Sequence, residues 1–453
     1  MNKIAVLTLL ALSACNGLVA QSHFVGFLSN KRVGMLHVAY NPAELSNLTH
    51  KHELNLVGAS LSFGSNKLSI SDLKNEKDLK NILFSTGAPL KLNLNSEILG
   101  PSLGVKYTNW SFGILTKAFV RVNVSDLDVD LMNSIYNNSL LTLESFPLSN
   151  PYNQRINSAS WGQISLAISR KLLDRERHQL SLGMSVSALF PASYANIGLD
   201  KFSGTIKYNL DPPQANLINA TTKLNLAYTS NFAKSFTRPS DFTNAIWGDF
   251  GGISLDAGLS YQYLNDDKIP LFNFGVSVKN LGSLTYASTK LNSVEYAVNI
   301  PEPTVQKPGF NLISLATISN LNQLESLLIL SGYMTKDSQA NSNVSVKLPT
   351  TFQLYTSIRL LNRLSFDLNT QYNVREGDNN REITSPNMVT LTPRFQTKYF
   401  ELYSPWTNHE VTGINGGLGI RVAGFYIGSG SVITAIQNDS KQLDFYAGYQ
   451  IGF

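Results

Sequence analysis

The sequence predicts an all-β fold, an antiparallel transmembrane β-barrel. Three observations carry that prediction: an alternating C-terminal strand with an aromatic end, a composition poor in charge yet polar, and connections that alternate short and long. In the last residues, Leu443, Phe445, Ala447, Tyr449, Ile451 and Phe453 fall on one face, and Asp444, Tyr446, Gly448, Gln450 and Gly452 on the other. Successive side chains of a strand point to opposite sides, so one face suits hydrocarbon and the other suits water.

Composition agrees. Of 453 residues only 15% are charged, against about 25% in soluble proteins, while mean hydropathy is −0.05. The deficit is filled by Ser, Asn, Thr and Gly, and there are 19 Tyr and 23 Phe. That mixture suits a polar lumen wrapped in an apolar band with aromatic girdles. A formal charge of +5 over this length, with no basic run or stacking motif, gives no footprint for nucleic acid.

Met1-Asn2-Lys3, the apolar run Ile4 to Leu12 and small residues up to Gln21 read as a secretory signal peptide over 1–20, too short to span a bilayer as a helix. Cleavage after Ala20 is the first reading. Lipidation at Cys15, the only cysteine, is the alternative, because Leu12-Ser13-Ala14-Cys15 has the form of a lipoprotein box. Either way the mature chain holds no disulfide. No later stretch reaches the roughly 18 uncharged apolar residues of a membrane helix, and a membrane chain without helices must close its sheet into a barrel.

Residues 21–50, with Pro42 and several polar breaks, do not alternate and read as a periplasmic arm or a plug in the lumen; 51–453 read as the barrel. The clearest strands set Leu182, Met184 and Val186 against Ser181, Ser185 and Ser187, Leu255 and Leu259 against Asp256 and Ser260, and Phe366 and Leu368 against Asp367 and Asn369. None places a charge on the apolar face, where Lys or Arg at midplane costs about 2–4 kcal/mol. Short connections near 108–109, 173–177, 211–213, 265–270, 320–323, 361–363, 397–398 and 422–423 interleave with longer ones, as periplasmic turns and outer loops do. The connection count favours 18 strands, and weak segments near 203–209 and around Thr397 leave about 14–18 open. Leu324 to Met334 fits a helix as well as a strand, and Ser71 to Phe84 predicts a short helix in the first outer loop.

Seven ionisable residues fall on inward faces: Lys117, Arg121, Asp256, Lys279, Arg359, Asp367 and Asp444. Such residues either line a water path or pair with one another and with a plug. Asp126, Asp128 and Asp130 share one face of an extended segment, so they form either a solvated acidic rim or a calcium site. His50 and His52 have no carboxylate or cysteine at ligand spacing. Gly428-Ser429-Gly430-Ser431 lacks the spacing of a hydrolase elbow, and no phosphate-binding glycine loop is present, so no enzyme activity and no cofactor are expected.

Asn41-Pro42-Ala43 and Phe274 to Gly282 resemble outer-membrane barrels related to long-chain fatty-acid transporters. Gly416 to Arg421, Gly424 to Ser429 and the 444–453 strand look like an uncharacterised outer-membrane family common in Bacteroidota. Relatives include hydrophobic-substrate channels and barrel components of type IX secretion and gliding machinery. The resemblance implies a bacterial outer-membrane location and a non-catalytic channel for a hydrophobic or small solute; the alternative is a barrel subunit of a surface assembly. Implied partners are membrane lipid, a hydrophobic ligand or protein partners, and the barrel-assembly machinery, which would read Tyr449, Ile451 and Phe453. Gly100-Pro101 is a candidate break for a side opening.

Overall fold

The structure, a computed structural model, describes residues 23–28, 31–74, 78–85, 87–136, 145–210, 213–230, 246–318, 321–339, 342–375, 379–437 and 440–453. The expected signal peptide, Cys15 and Ala20 lie outside them. One sheet closes on itself through β1 (His52–Ser65), β2 (Leu90–Leu99 continued by Ser102–Tyr107), β3 (Trp110–Leu127), β4 (Ser145–Arg175), β5 (His178–Leu210), β6 (Ile253–Leu264) and β7 (Pro270–Tyr286). It continues through β8 (Thr351–Leu361), β9 (Leu364–Asn373), β10 (Met388–Gln396), β11 (Phe400–Tyr403 and Trp406–His409), β12 (Gly413–Gly416 and Leu418–Val422), β13 (Phe425–Ser429) and β14 (Gln442–Gly452). Every neighbouring pair is antiparallel, and β14 returns to β1 with Leu61 opposite Phe445. Among the described residues the ring itself has no open edge, as a spanning sheet requires.

The ring therefore runs through 14 strands, and the connection count of 18 is corrected downward. The four surplus segments are identifiable. Residues 202–210 are the far end of β5, which continues unbroken where a loop at 192–202 was expected. The segments near 213–233, 306–320 and 323–337 supply side strands and helices outside the ring. Beyond Pro191 the hairpin of β4 and β5 leaves the barrel, and β5 pairs instead with Pro213–Thr229. That strand pairs with Leu291–Ile300, which in turn pairs with Met334–Gln339. The ambiguous 324–334 stretch is mostly the helix Leu321–Leu330. Its Glu325 accepts from Tyr228 at 2.8 Å and from Tyr296 at 2.5 Å, which ties the helix to the side sheet. The helix expected over 71–84 is two short ones, Ile70–Lys74 and Leu79–Leu83, the second capped by Asp78.

Alternation along the ring follows the sequence. On β14, Leu443, Phe445, Tyr449 and Ile451 are exposed, whereas Asp444, Tyr446 and Gln450 are buried. On β5, Leu182, Met184 and Val186 face out while Ser181, Ser185 and Ser187 face in. Aromatic residues mark both rims of the apolar band. Tyr107, Trp110, Tyr399, Phe425 and Phe453 stand exposed near the end that holds the C-terminus, and Phe190 stacks on Trp247 at 5.1 Å near the other. About twelve strand residues separate His178 from Phe190; at ~3.3 Å each and ~40° tilt they rise roughly 30 Å, enough for the hydrocarbon layer.

Gly100 and Pro101 do interrupt β2, with β1 bulging opposite at 56–57. The break is closed from within. Asn55 donates to the carbonyls of Leu99 (3.2 Å) and Gly100 (3.1 Å), and buried Leu99 and Leu115 lie behind it.

Candidate functional site

The lumen contains the chain's own N-terminal segment. Residues 23–28 and 31–48 form short helical turns rather than strands, the longest being Met35–Tyr40 and Pro42–Asn47. Phe24, Phe27, Met35, Leu36 and Leu45 are at most 2% exposed and pack against the inward tyrosines Tyr355, Tyr403, Tyr426 and Tyr446. Phe27 stacks on Tyr426 at 4.3 Å between centroids. An apolar core of the kind found in a soluble domain thus sits inside a polar-walled ring, each buried side chain contributing about 1.5–3 kcal/mol of burial.

Polar ties fix the segment all round the wall. Asn41 accepts from Ala43 N at 2.9 Å and so caps the turn that Pro42 begins. Its amide also donates to Leu259 O (3.0 Å), Val276 O (3.3 Å) and Tyr355 Oη (3.1 Å). Glu44, three residues on, accepts from Ser260 at 2.6 Å, from Asn47 at 3.0 Å and from Tyr355. Ser46 and Ser169 hydroxyls meet at 2.7 Å, and Gln450 donates to Arg32 O at 2.6 Å. Gly183 and Gly258 make room: a Cβ at the first would lie 2.4 Å from the Pro42 and Ala43 backbone, and at the second 2.0 Å from Asn41.

The structure places the seven ionisable residues singled out from the sequence in three groups. Asp367 pairs with Arg394 at 3.0 Å, and Arg394 also reaches Glu401 (3.4 Å) and Gly26 O (2.5 Å). Arg421 and Arg32 reach Glu401 from the other side at 3.1 and 3.6 Å, and Arg359 stands near this group, within range of Asp367 and Glu401. Lys117, Arg121, Asp256 and Lys279 gather with Glu97 and His23 higher in the lumen. Asp444, at the outer rim, accepts from Gly430 N and Ser431 Oγ, both at 2.6 Å.

The calcium reading of Asp126, Asp128 and Asp130 is corrected. Asp126 turns into the left-handed region (φ 52°), ending the extended alternation, and pairs with Lys91 at 3.3 Å. Asp128 caps the helix Val129–Tyr136 by accepting from Asp130 N and Leu131 N. Partial burial, then the Asp128 charge, push the Asp130 carboxyl up. Among the described residues no three metal-ligating side chains converge. His50 lies 3.6 Å from Glu53, and His52 stacks on Phe453. Sequence reading missed Arg394, Glu401, Glu44 and Glu97. Pro393 masks the first, and Glu97 lay in a stretch read as loop.

Two spaces lie above the N-terminal segment. A cavity of about 40 Å³ is floored by Phe24, Leu28, Leu36 and Tyr40 and walled by Glu97, Arg121 and Lys279. A vestibule of about 210 Å³ opens at the outer end between β2, β3 and the loop around 384–387. Ser385 lines both, and it receives Arg121 at 3.3 Å and Gln371 at 3.0 Å.

The family of unknown function DUF5723 matches residues 42–430. The chain belongs to that family. Its match runs from Pro42 in the lumenal turn through β13, so β1 to β13 fall within it and β14 lies beyond it. A search of curated proteins finds no match. Among solved structures, the toluene transporter TodX of P. putida superposes with a TM-score of 0.46 at 10% identity, covering 95% of this chain and 97% of that one. The Ralstonia pickettii toluene transporter TbuX gives 0.42 at 12% identity, covering 95% and 96%. A Pseudomonas aeruginosa FadL homologue gives 0.33 at 10% identity, covering 96% and 100%. These are structures that the chain is similar to, at values that say nothing of role or substrate.

Proposed function

We propose that the protein is a non-catalytic channel of the bacterial outer membrane for small solutes, shut by its own N-terminal segment. The observation that carries this reading is the graded lumen. A vestibule and a smaller cavity share Ser385 as a wall, and the cavity is floored by residues of the packed segment 23–48. Polar walls support a small polar solute over a hydrophobic one, and the hydrogen-bonded closure at Asn55 supports passage along the axis rather than through the side.

Paired cysteines at Ser46 and Ser169, whose hydroxyls are 2.7 Å apart, come within disulfide reach and staple the segment to β4. In liposome-swelling assays, the residual flux of small solutes through reduced S46C/S169C should fall to background when the pair is oxidised. Equal flux in both states would show that the segment does not gate. Absence of flux in every form, including variants that displace the segment, would remove the channel reading.

The C-terminal strand supports a role in assembly for Tyr449, Ile451 and Phe453. Phe453 exchanges backbone hydrogen bonds with His52 at 2.9 and 3.0 Å, the last rung of the β1–β14 seam. Deleting Phe453 should lower the membrane-inserted fraction severalfold, seen as loss of the heat-modifiable band on gels; normal insertion would sink this assignment.

The side sheet favours a second reading, a barrel subunit of a surface assembly such as type IX secretion or gliding machinery. Among the described residues Met334–Gln339 pairs on one side only, leaving its other edge bare outside the ring. Isolation as a lone monomer from mild detergent counts against it, and a stable co-purifying partner supports it.

A further inference from the structure

The vestibule has a chemistry of its own. Asn93 on β2 and Asn123 on β3 are direct partners across the ladder, so their amides stand side by side. They are 4% and 7% exposed, and Asn93 Oδ1 and Asn123 Nδ2 have no hydrogen-bond partner. Two residues deeper on β2, Asn95 leaves both amide atoms unpartnered at 1% exposure. Buried amides without partners cost about 1–3 kcal/mol each unless something completes them.

The charged groups around these amides are already committed. Lys91 pairs with Asp126 at 3.3 Å, Arg375 with Glu382 at 3.4 Å, and Glu410 accepts from Asn387 N at 2.9 Å. The two cations and two anions that line the space, Lys91 and Arg375 against Asp126 and Glu410, sum to zero. An anionic ligand therefore meets no uncommitted cation there. An apolar ligand would shut water out and leave the amides bare. What remains on offer is one neutral acceptor beside one neutral donor, at the mouth of a space of about 210 Å³. A hydroxyl both donates and accepts, so vicinal ring hydroxyls satisfy the two together.

We propose that the vestibule is a binding site for a neutral, polyhydroxylated solute of the sugar class, held by Asn93 and Asn123. This deepens the channel reading by naming its solute class, and it is read out by binding rather than by flux.

The test uses the full-length mature protein in an amine-oxide detergent, free of sugar headgroups, with D-glucose as the probe and benzoate and toluene as comparators. Saturation-transfer NMR and calorimetric titration should show saturable glucose binding that exceeds benzoate binding. N93L/N123L should weaken it about tenfold or more, because each neutral hydrogen bond lost removes several-fold in affinity. The same change should leave the melting temperature unchanged or raised, which a merely structural pair of amides would not do. Should that variant fail to fold, N93S and N123S carry the same comparison. No saturable glucose signal, tighter benzoate binding, or glucose binding unaltered in the variants overturns the site. Glucose binding without liposome uptake leaves the site standing and removes the channel; uptake without saturable binding does the reverse.

Discussion

Replacing Arg394 with methionine should destabilise the barrel by about 3–5 kcal/mol, the range for a buried ion pair deprived of one partner. Arg394 and its partners Asp367 and Glu401 are each 1% exposed by side chain, so no water replaces the lost guanidinium. Glu401 keeps Arg421 and Arg32, whereas Asp367 keeps no cation contact within 4 Å among the described residues, only Arg359 at longer range. The double variant R394M/D367N should therefore recover most of the loss, leaving mainly the missing bond to Gly26 O and the contact over Tyr403 at 4.8 Å. Urea unfolding followed by tryptophan fluorescence in mild detergent measures both. A loss under about 1 kcal/mol in the single variant, the scale of an exposed pair, would mean that the network is wetter than its burial indicates.

Gly183→Leu should have the largest effect on permeability. The new side chain meets the Pro42 and Ala43 backbone at 2.4 Å, inside a turn that Asn41 pins to two carbonyls of the wall. Backbone so held cannot yield as a side-chain tip can, so the segment must leave its seat. Solute flux should rise tenfold or more, and 23–48 should become open to protease. Gly104→Leu supplies the contrast. Its Cβ would meet the flexible ends of Met35 and Leu48 at 2.6 and 2.8 Å, which can shift. Flux and protease resistance there should change little. Matching behaviour of the two variants would show that local strain, not the segment's seat, controls the lumen.

How much of this was legible in the sequence depends on what each pattern encodes. Alternation on β14 and β5 placed their side chains on the correct faces, because a two-residue period states which face is wet. It does not state which strand lies alongside. Pro213–Thr229 alternates as ring strands do, since a sheet packed against helices is also half-buried, and segments of that kind gave the connection count four strands too many. The stretch 192–202 read as a loop although β5 runs through it. The N-terminal segment showed only the absence of a strand pattern; its short turns are held by Asn41 and Glu44, whose partners lie more than 200 residues away. Asn93 fell in a stretch read as loop and Asn123 in a strand, and only pairing reveals that they stand together.

The closure of the ring at its seam has a further consequence. A one-residue slip between first and last strands would turn every side chain of β14 to the opposite face, and the ladder's own hydrogen bonds do not distinguish the two arrangements. The N-terminal segment does. It touches both sides of the seam, His23 meeting Ser60 on β1 at 3.1 Å, while Tyr446 and Gln450 on β14 donate to Val25 O and Arg32 O at 2.8 and 2.6 Å. In a slipped ring Tyr446 and Gln450 would point to lipid, and those carbonyls would go unanswered. Only the observed register lets one segment satisfy both sides of the seam at once.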